Sequence, residues 1–515
     1  MLSQGVQMGL LMGGALLLAA SIGAWYRQRL TWAVGLLMAA ALLLRLLMAS
    51  LDPFLHDWDE RFHAVVASNM LLHPLAPMLH ADLLPYDYKA WCCNHIWLHK
   101  QPLFMWQMAL SMKLLGVNEV AMRLPSALLG SLVLYPVYRL GRLLLDADTG
   151  YVAALLAACA FYQLEQTSGV IGMDHNDVAF AAYVTASIWA YYEYRASARP
   201  WRWLVLVGVF AGAAVLCKWL VGLVVYAGWG VAILQAAPRR WAEYGRLAAS
   251  VAVAVAVALP WQLYAAWRFP LESAYERAYN TRHFLEPLEG HDYPWYYHFG
   301  MLPTHYGLLL TLMALGLGLV WRRGQLGRLV PMLAMVALVY AFFTVAATRM
   351  YSYTYVVSAL LLLLAAVPLA DVLRGLRAAG GRRGAGGVAL VVALVLAADA
   401  RPWTIVRYHF AESIGVVSGA PLERAVRLAN ASLYRHLDAE VPPGYLIFNA
   451  QGSDELQAQF YSSHPVYGWW PAEADLNRLL AQGWRVAYFP AHHDQAPPDY
   501  LTHSPGAIPL WGRPQ

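Results

Sequence analysis

The chain has 515 residues, of which 60% are apolar and only 13% charged, against about 25% charged in ordinary soluble domains. That balance excludes a single small soluble domain, because several apolar runs of roughly 17–22 residues are each long enough to cross a hydrocarbon core of ~30 Å. The net charge of +5 sits in short loops between these runs, with no basic helix or recognition motif, which excludes a nucleic-acid partner.

In chain order the apolar runs predict helices over 5–25, 30–50, 124–145, 150–168, 177–195, 203–217, 219–236, 246–266, 305–321, 328–347, 352–370 and 386–400. The first has no cleavage pattern behind it and reads as a retained helix. Arg27/Arg29, Arg139/Arg142, Arg195/Arg199/Arg202, Arg239/Arg240, Arg322/Arg323/Arg328 and Arg374/Arg377/Arg382/Arg383 fall in every second connection. The positive-inside rule assigns those connections to the cytoplasm. The long loops at 51–123 and 267–304, the GMDHND turn, the Lys218 turn, the Arg349 turn and the tail from 401 then share the opposite side. RAAGGRRGAGG (Arg377–Gly387) reads as a flexible cytoplasmic connection, since no strand leads into it as a phosphate-binding loop needs. Four cysteines fit no zinc pattern, and Cys92 and Cys93 are neighbours in a polar loop whose pairing stays open. In the tail, LERAVRLANASLYRHL reads helical, and GYLIFNA, PVYGWW and WRVAYFP read as short strands. The fold class expected is therefore a polytopic α-helical membrane protein of about twelve transmembrane helices (residues 1–400) with a small extracytoplasmic α/β domain (residues 401–515).

Five constellations on the outer side carry chemistry. WDERFHAVVASNM opens with Asp59–Glu60, followed by Arg61 and His63. The pair reads either as acids at a helix N-terminus or as a general base held at the membrane surface. In NHIWLHKQP, His95 and His99 share a face if the piece is helical. Lys100 stands before Gln-Pro, where the chain is held extended or in a turn, and reads as an interfacial anchor or a phosphate clamp. GVIGMDHNDVAF offers Asp174 as a functional acid and Asp177 as a helix cap. YNTRHFLEPLEGHDYPWYYHF interleaves Arg282, Glu289 and His291 with aromatics that suit either an interfacial belt or a sugar pocket. TRMYSYTY sets Arg349 beside Tyr351, Tyr353 and Tyr355, as snorkelling and belt residues or as donors to a phosphate.

Taken in order, DE at 59–60, HKQPLFMWQMALSMKLLGVNEVAMRLPSAL, GVIGMDHND, LCKWLVGL, GHDYPWYYHF and TRMYSYTYVV resemble the GT-C superfamily of membrane glycosyltransferases over about residues 30–370. The similar branch contains the lipid A aminoarabinose transferases and the protein O-mannosyltransferases. Departures are Lys-Gln-Pro in place of Lys-Pro-Pro, Asp-His-Asn-Asp in place of Asp-x-Pro, His99 in place of a Glu, Arg61 one position early, and the extra helix at 5–25. The resemblance implies a GT-C fold and transfer of a sugar from a polyprenyl-phosphate donor to an acceptor hydroxyl on lipid A, a glycan or a protein. It implies an inverting displacement at the outer face of the inner (plasma) membrane, with Asp59, Glu60 and Asp174 in catalysis. Lys100, Arg61, Arg282, Arg349, Tyr351 and Tyr353 are then expected at the donor phosphate. No cofactor is required; a divalent metal such as zinc is implied at His99 and His291, whose positions hold it in the aminoarabinose branch. The alternative class is a transporter or flippase for a lipid-linked sugar, whose polar groups belong near the midplane, not at helix ends on one face.

Overall fold

The computed structural model describes residues 3–168, 175–236, 241–399, 420–450, 454–490 and 496–510. Its first two helices, α1 (Gln4–Tyr26) and α2 (Leu30–Ala49), pack along each other. Three outer-loop helices follow in part: α3 (Asp59–Asn69) and α4 (Pro102–Leu115), then α5 (Glu119–Leu132), which continues into α6 (Leu134–Leu144). The central group is α7 (Ala147–Cys159), α8 (Phe161–Ser168), α9 (His175–Ala196), α10 (Pro200–Lys218), α11 (Val224–Gln235) and α12 (Ala242–Arg268). Then come α13 (Pro270–Leu285), α14 (Tyr297–Gly300), α15 (Leu302–Tyr306), α16 (Leu308–Arg322), α17 (Leu326–Val345), α18 (Ser358–Ala379) and α19 (Gly381–Asp399).

Among the described residues eight helices are long and apolar enough to cross a membrane, or nine if the bent pair Tyr297–Tyr306 and Leu308–Arg322 forms one span. The chain is a multi-pass membrane protein. The twelve expected runs all fall on helices, but several are broken. The run at 150–168 breaks at Ala160, where ψ is 137°. Its loosened carbonyls at Ala157 and Ala158 accept hydrogen bonds of 2.9 and 3.1 Å from the buried Arg45 guanidinium, and the Phe161 N–H is taken by Asp399 at 2.9 Å. Both helix ends thus find side-chain partners within the protein. At 305–321 the axis turns by 104° beside Gly307, whose φ of 48° favours glycine. Between α10 and α11 the chain doubles back: a Cβ on Gly222 would lie 2.8 Å from both the Ala214 side chain and the Val215 nitrogen.

Two expectations need correction. The Arg377–Gly387 segment is not a flexible connection: after Gly380 (φ 69°) the chain is helical again from Gly381. Its glycines let α19 approach α18, since a Cβ on Gly384 would sit 2.5 Å from the Leu376 carbonyl. The piece holding His95 and His99 is not helical either. Met78 and Ile96 form an antiparallel bridge, and Gln101 is extended (ψ 155°) before Pro102 opens α4.

The end of α18 meets the start of α7, where Arg377 pairs with Asp148 at 2.7 Å and Arg374 with Asp146 at 2.9 Å. The tail forms a parallel sheet of β1 (Tyr445–Phe448), β2 (Val466–Tyr467), β3 (Arg485–Tyr488) and β4 (Ile508–Pro509), ordered β2-β1-β3-β4. Helices α20 (Ala420–Arg435), α21 (Asp454–Tyr461) and α22 (Glu473–Ala481) complete it. The three strands read in the sequence are β1, β2 and β3; β4 is not among them.

Candidate active site

Helix α3 begins directly after Trp58, whose φ of 59° is disfavoured for a residue with a Cβ. Successive helical residues point about 100° apart, so Asp59 and Glu60 diverge. Glu60 turns into the protein and is fully buried. Its Oε1 accepts from Arg123 Nε at 2.6 Å and lies 3.0 Å from His175 Nε2. Its Oε2 accepts the His56 N–H at 2.7 Å and contacts the His56 ring. Burial alone would raise this carboxyl, but Arg123 and then His56 hold it well below the usual carboxylate range. Arg123 also donates to the carbonyls of Asp52 (2.6 Å) and Phe54 (2.7 Å). Glu60 is therefore the anchor of the loop that presents Asp59, and it lies away from any open surface.

Asp59 stays partly open, at 26% side-chain exposure, and its Oδ2 lies 3.3 Å from Lys100 Nζ. The two residues are 41 apart in sequence. Lys100 acts in turn on Tyr353 and Glu289. Glu289 accepts from the Tyr279 hydroxyl at 2.9 Å and faces His283 Nε2 at 3.7 Å. Burial would raise its carboxyl, yet His283, His99 and Lys100 bring it down to about 2. A second lysine closes the cluster: Lys218 Nζ lies 2.6 Å from Asp177 Oδ1 and 5.0 Å from the centre of the Tyr353 ring. The Ser352 hydroxyl donates to the other Asp177 oxygen. Burial pushes the Tyr353 hydroxyl up to about 12 against the pull of Lys218 and Lys100, so it is a neutral donor at neutral pH.

Among the described residues five non-glycine positions have positive φ, and three belong here: Trp58 before Asp59, Trp219 after Lys218, and Glu289 itself. Backbone strain of this kind costs on the order of 1–3 kcal/mol each and gathers at sites that the surrounding structure over-determines.

The structure thus brings together Asp59, Lys100 and Tyr353, with His99 beside them, and it sets the other expected residues elsewhere. Arg61 binds Asp57 at 2.6 Å and Asp454 at 2.7 Å, joining the outer loop to the tail. Arg282 pairs with Glu286 at 3.0 Å on the exposed side of α13. Arg349 donates to the carbonyls of Tyr293 (2.6 Å) and Ala347 (3.1 Å), so it braces the loop. Tyr351 packs edge-on against His305 at 4.6 Å. His99 stacks on Trp91 and faces Glu276 at 3.3 Å, whereas the ring neighbour of His291 is Tyr293. Among the described residues no three His, Cys, Asp or Glu side chains gather as a metal ion needs, so the residues do not fit the implied metal. Asp174 lies outside the described residues. Asp177, read as a helix cap, instead spends its carboxylate on Lys218 and Ser352. Lys218 and Ser352 are the members that residue-by-residue reading missed. The signal for Lys218 was present, since one lysine stands alone between two apolar runs in LCKWLVGL.

A family model described as dolichyl-phosphate-mannose-protein mannosyltransferase matches residues 99–264. ArnT from Cupriavidus metallidurans, in a crystal structure bound to undecaprenyl phosphate, has a TM-score of 0.62 at 16% identity, covering 90% of this chain and 86% of that one. The archaeal oligosaccharyltransferase AglB from Archaeoglobus fulgidus, in complex with an inhibitory peptide and a dolichol-phosphate, has a TM-score of 0.53 at 14% identity, covering 84% of this chain and 63% of that one. An uncharacterised protein of Aquifex aeolicus (strain VF5) is 28% identical over 172 residues, which is 33% of this chain and 31% of that protein's length. These likenesses agree with the resemblance read from the ordered motifs: the chain is a multi-pass membrane protein that shares its fold with ArnT and AglB.

Proposed function

We propose that the protein is a glycosyltransferase that moves a sugar from a polyprenyl-phosphate donor to an acceptor hydroxyl at the outer face of the inner membrane. The observation that carries this reading is the meeting of Asp59 and Lys100 at 3.3 Å, with Lys218 and Tyr353 beside them. An isoprenoid tail keeps the donor phosphate at the membrane surface, at the level where the outer loops gather. As the sugar–phosphate bond breaks, negative charge develops on the phosphate oxygens; Lys100 and Lys218 meet it as fixed cations and the Tyr353 hydroxyl donates to it. Asp59 takes the proton of the acceptor hydroxyl as that oxygen attacks the anomeric carbon from the opposite face, so one displacement inverts the centre. Asp174 orients the acceptor or assists that base. Lipid A, a glycan and a protein are the acceptor classes this chemistry serves.

The reading is supported by a family model described as dolichyl-phosphate-mannose-protein mannosyltransferase over residues 99–264 and by a fold shared with proteins whose structures hold undecaprenyl phosphate or a dolichol-phosphate. Protein reconstituted in liposomes with a labelled polyprenyl-phosphate sugar is expected to release the lipid phosphate, and Lys100→Met and Lys218→Met each to slow that release by about 10²-fold. Movement of intact donor across the bilayer with no cleavage would contradict the proposal.

A further inference from the structure

The loop between α3 and α4 carries a feature that the transfer reaction leaves unused. Residues 90–93 form a tight turn, closed by the Cys93 N–H donating to the Ala90 carbonyl at 2.9 Å. Cys92 and Cys93 occupy its end, both half-buried thiols, with their sulfur atoms 2.9 Å apart. Between Ala90 and Cys92 stands Trp91. Its ring lies flat on His99 at 4.8 Å and 15° and tilts onto Phe62 at 5.1 Å. His99 immediately precedes Lys100, so the Trp91 ring links the turn to the residue beside the site.

We propose that Cys92 and Cys93 form a vicinal disulfide that locks this turn and with it the seat of Trp91 on His99 beside Lys100. The oxidant is an external disulfide of the outer compartment, on a protein or a small molecule, and this rests on the outward orientation proposed above. The Cys92 thiolate attacks one sulfur of that disulfide and releases a first thiol. Cys93 then attacks the Cys92 sulfur of the mixed disulfide and releases the second. The cysteine pair loses two electrons and two protons, and the external disulfide gains them as two thiols. The hydrogen bond from Cys93 brings the Cys92 thiol down to about 7, which leaves a large thiolate fraction at neutral pH to start the exchange.

Neighbouring Cα atoms are about 3.8 Å apart, closer than the roughly 4.4–6.8 Å of ordinary bridges, so the eight-membered ring is strained and easily reduced. It also closes no loop of chain and contributes little by restricting the unfolded state. Its effect is on the local conformation, and it reverses with redox conditions.

The test uses full-length protein in membranes, acid-quenched and alkylated with N-ethylmaleimide, then digested for mass spectrometry. The peptide holding both cysteines is expected to carry no label until it is reduced, and then two. Cys159 and Cys217, labelled once the protein is denatured, report that alkylation worked. Label on both Cys92 and Cys93 without reduction, even after exposure to oxidised glutathione, would overturn the proposal; so would a stable glutathione adduct or a bridge between two chains. This readout does not use activity, so it stands or falls apart from the transferase reading. A phosphine reductant is expected to lower donor cleavage several-fold in the native protein and to leave the Cys92→Ser/Cys93→Ser double variant unaffected. Equal cleavage by reduced and oxidised native protein would remove the locking role.

Discussion

Asp59 and Glu60 are adjacent acids that the sequence presents as a pair, yet the fold gives them opposite work. The separation comes from the helix itself: one carboxylate points to the open cluster with Lys100, the other into a closed shell with Arg123, His56 and His175. No residue-type rule distinguishes them before the direction of burial is known. Arg123 is fully buried against Glu60, so Arg123→Met leaves a carboxylate enclosed without its partner. The expected cost is about 3–5 kcal/mol, read as a large fall in the thermal midpoint in detergent. Lys100 was legible because the extended Gln-Pro behind it fixes its position at the start of α4. Arg61, Arg282 and Arg349 were not separable from it in sequence, since a cation looks the same whether it meets a ligand, a carboxylate or a carbonyl.

Helix positions were legible and helix breaks were not. Every predicted run lies on a helix because length and apolarity decide that, whereas the break inside a run at Ala160 depends on distant partners, Arg45 and Asp399. Close helix packing was equally hidden. A Cβ on Gly316 would lie 1.9 Å from the Leu364 carbonyl of α18, so α16 and α18 touch along their backbones there. Gly316→Ala forces them apart and is expected to destabilise by roughly 1–3 kcal/mol. A neighbouring control, Gly318→Ala, meets open space and should leave the thermal midpoint unchanged.

The strands of the tail were legible from their apolar runs. Its attachment was not, because the contacts span hundreds of residues. Arg424 binds Asp52 at 2.7 Å, Arg427 binds Asp57 at 2.5 Å, and Asp454 holds Arg61. The same region holds Glu455, 5% exposed, whose carboxyl burial pushes up to about 8. A carboxyl raised from its ordinary 4.5 to about 8 binds a proton in the folded state that the unfolded chain has lost. Its contribution to stability is therefore complete below pH 4.5 and declines as pH rises through about 8. Glu455→Gln should remove that decline, on the order of a few kcal/mol, so the variant's midpoint gains on the native protein's between pH 5 and 8.

Asp59 is the proposed base within a cluster assembled from both long loops and two short turns. The most direct test of that role is cleavage and transfer of a labelled polyprenyl-phosphate sugar by reconstituted Asp59→Asn protein, matched to the native protein in amount and thermal midpoint. The expected result is a loss of at least about 10²-fold in turnover with the midpoint held. Turnover equal to that of the native protein would contradict it.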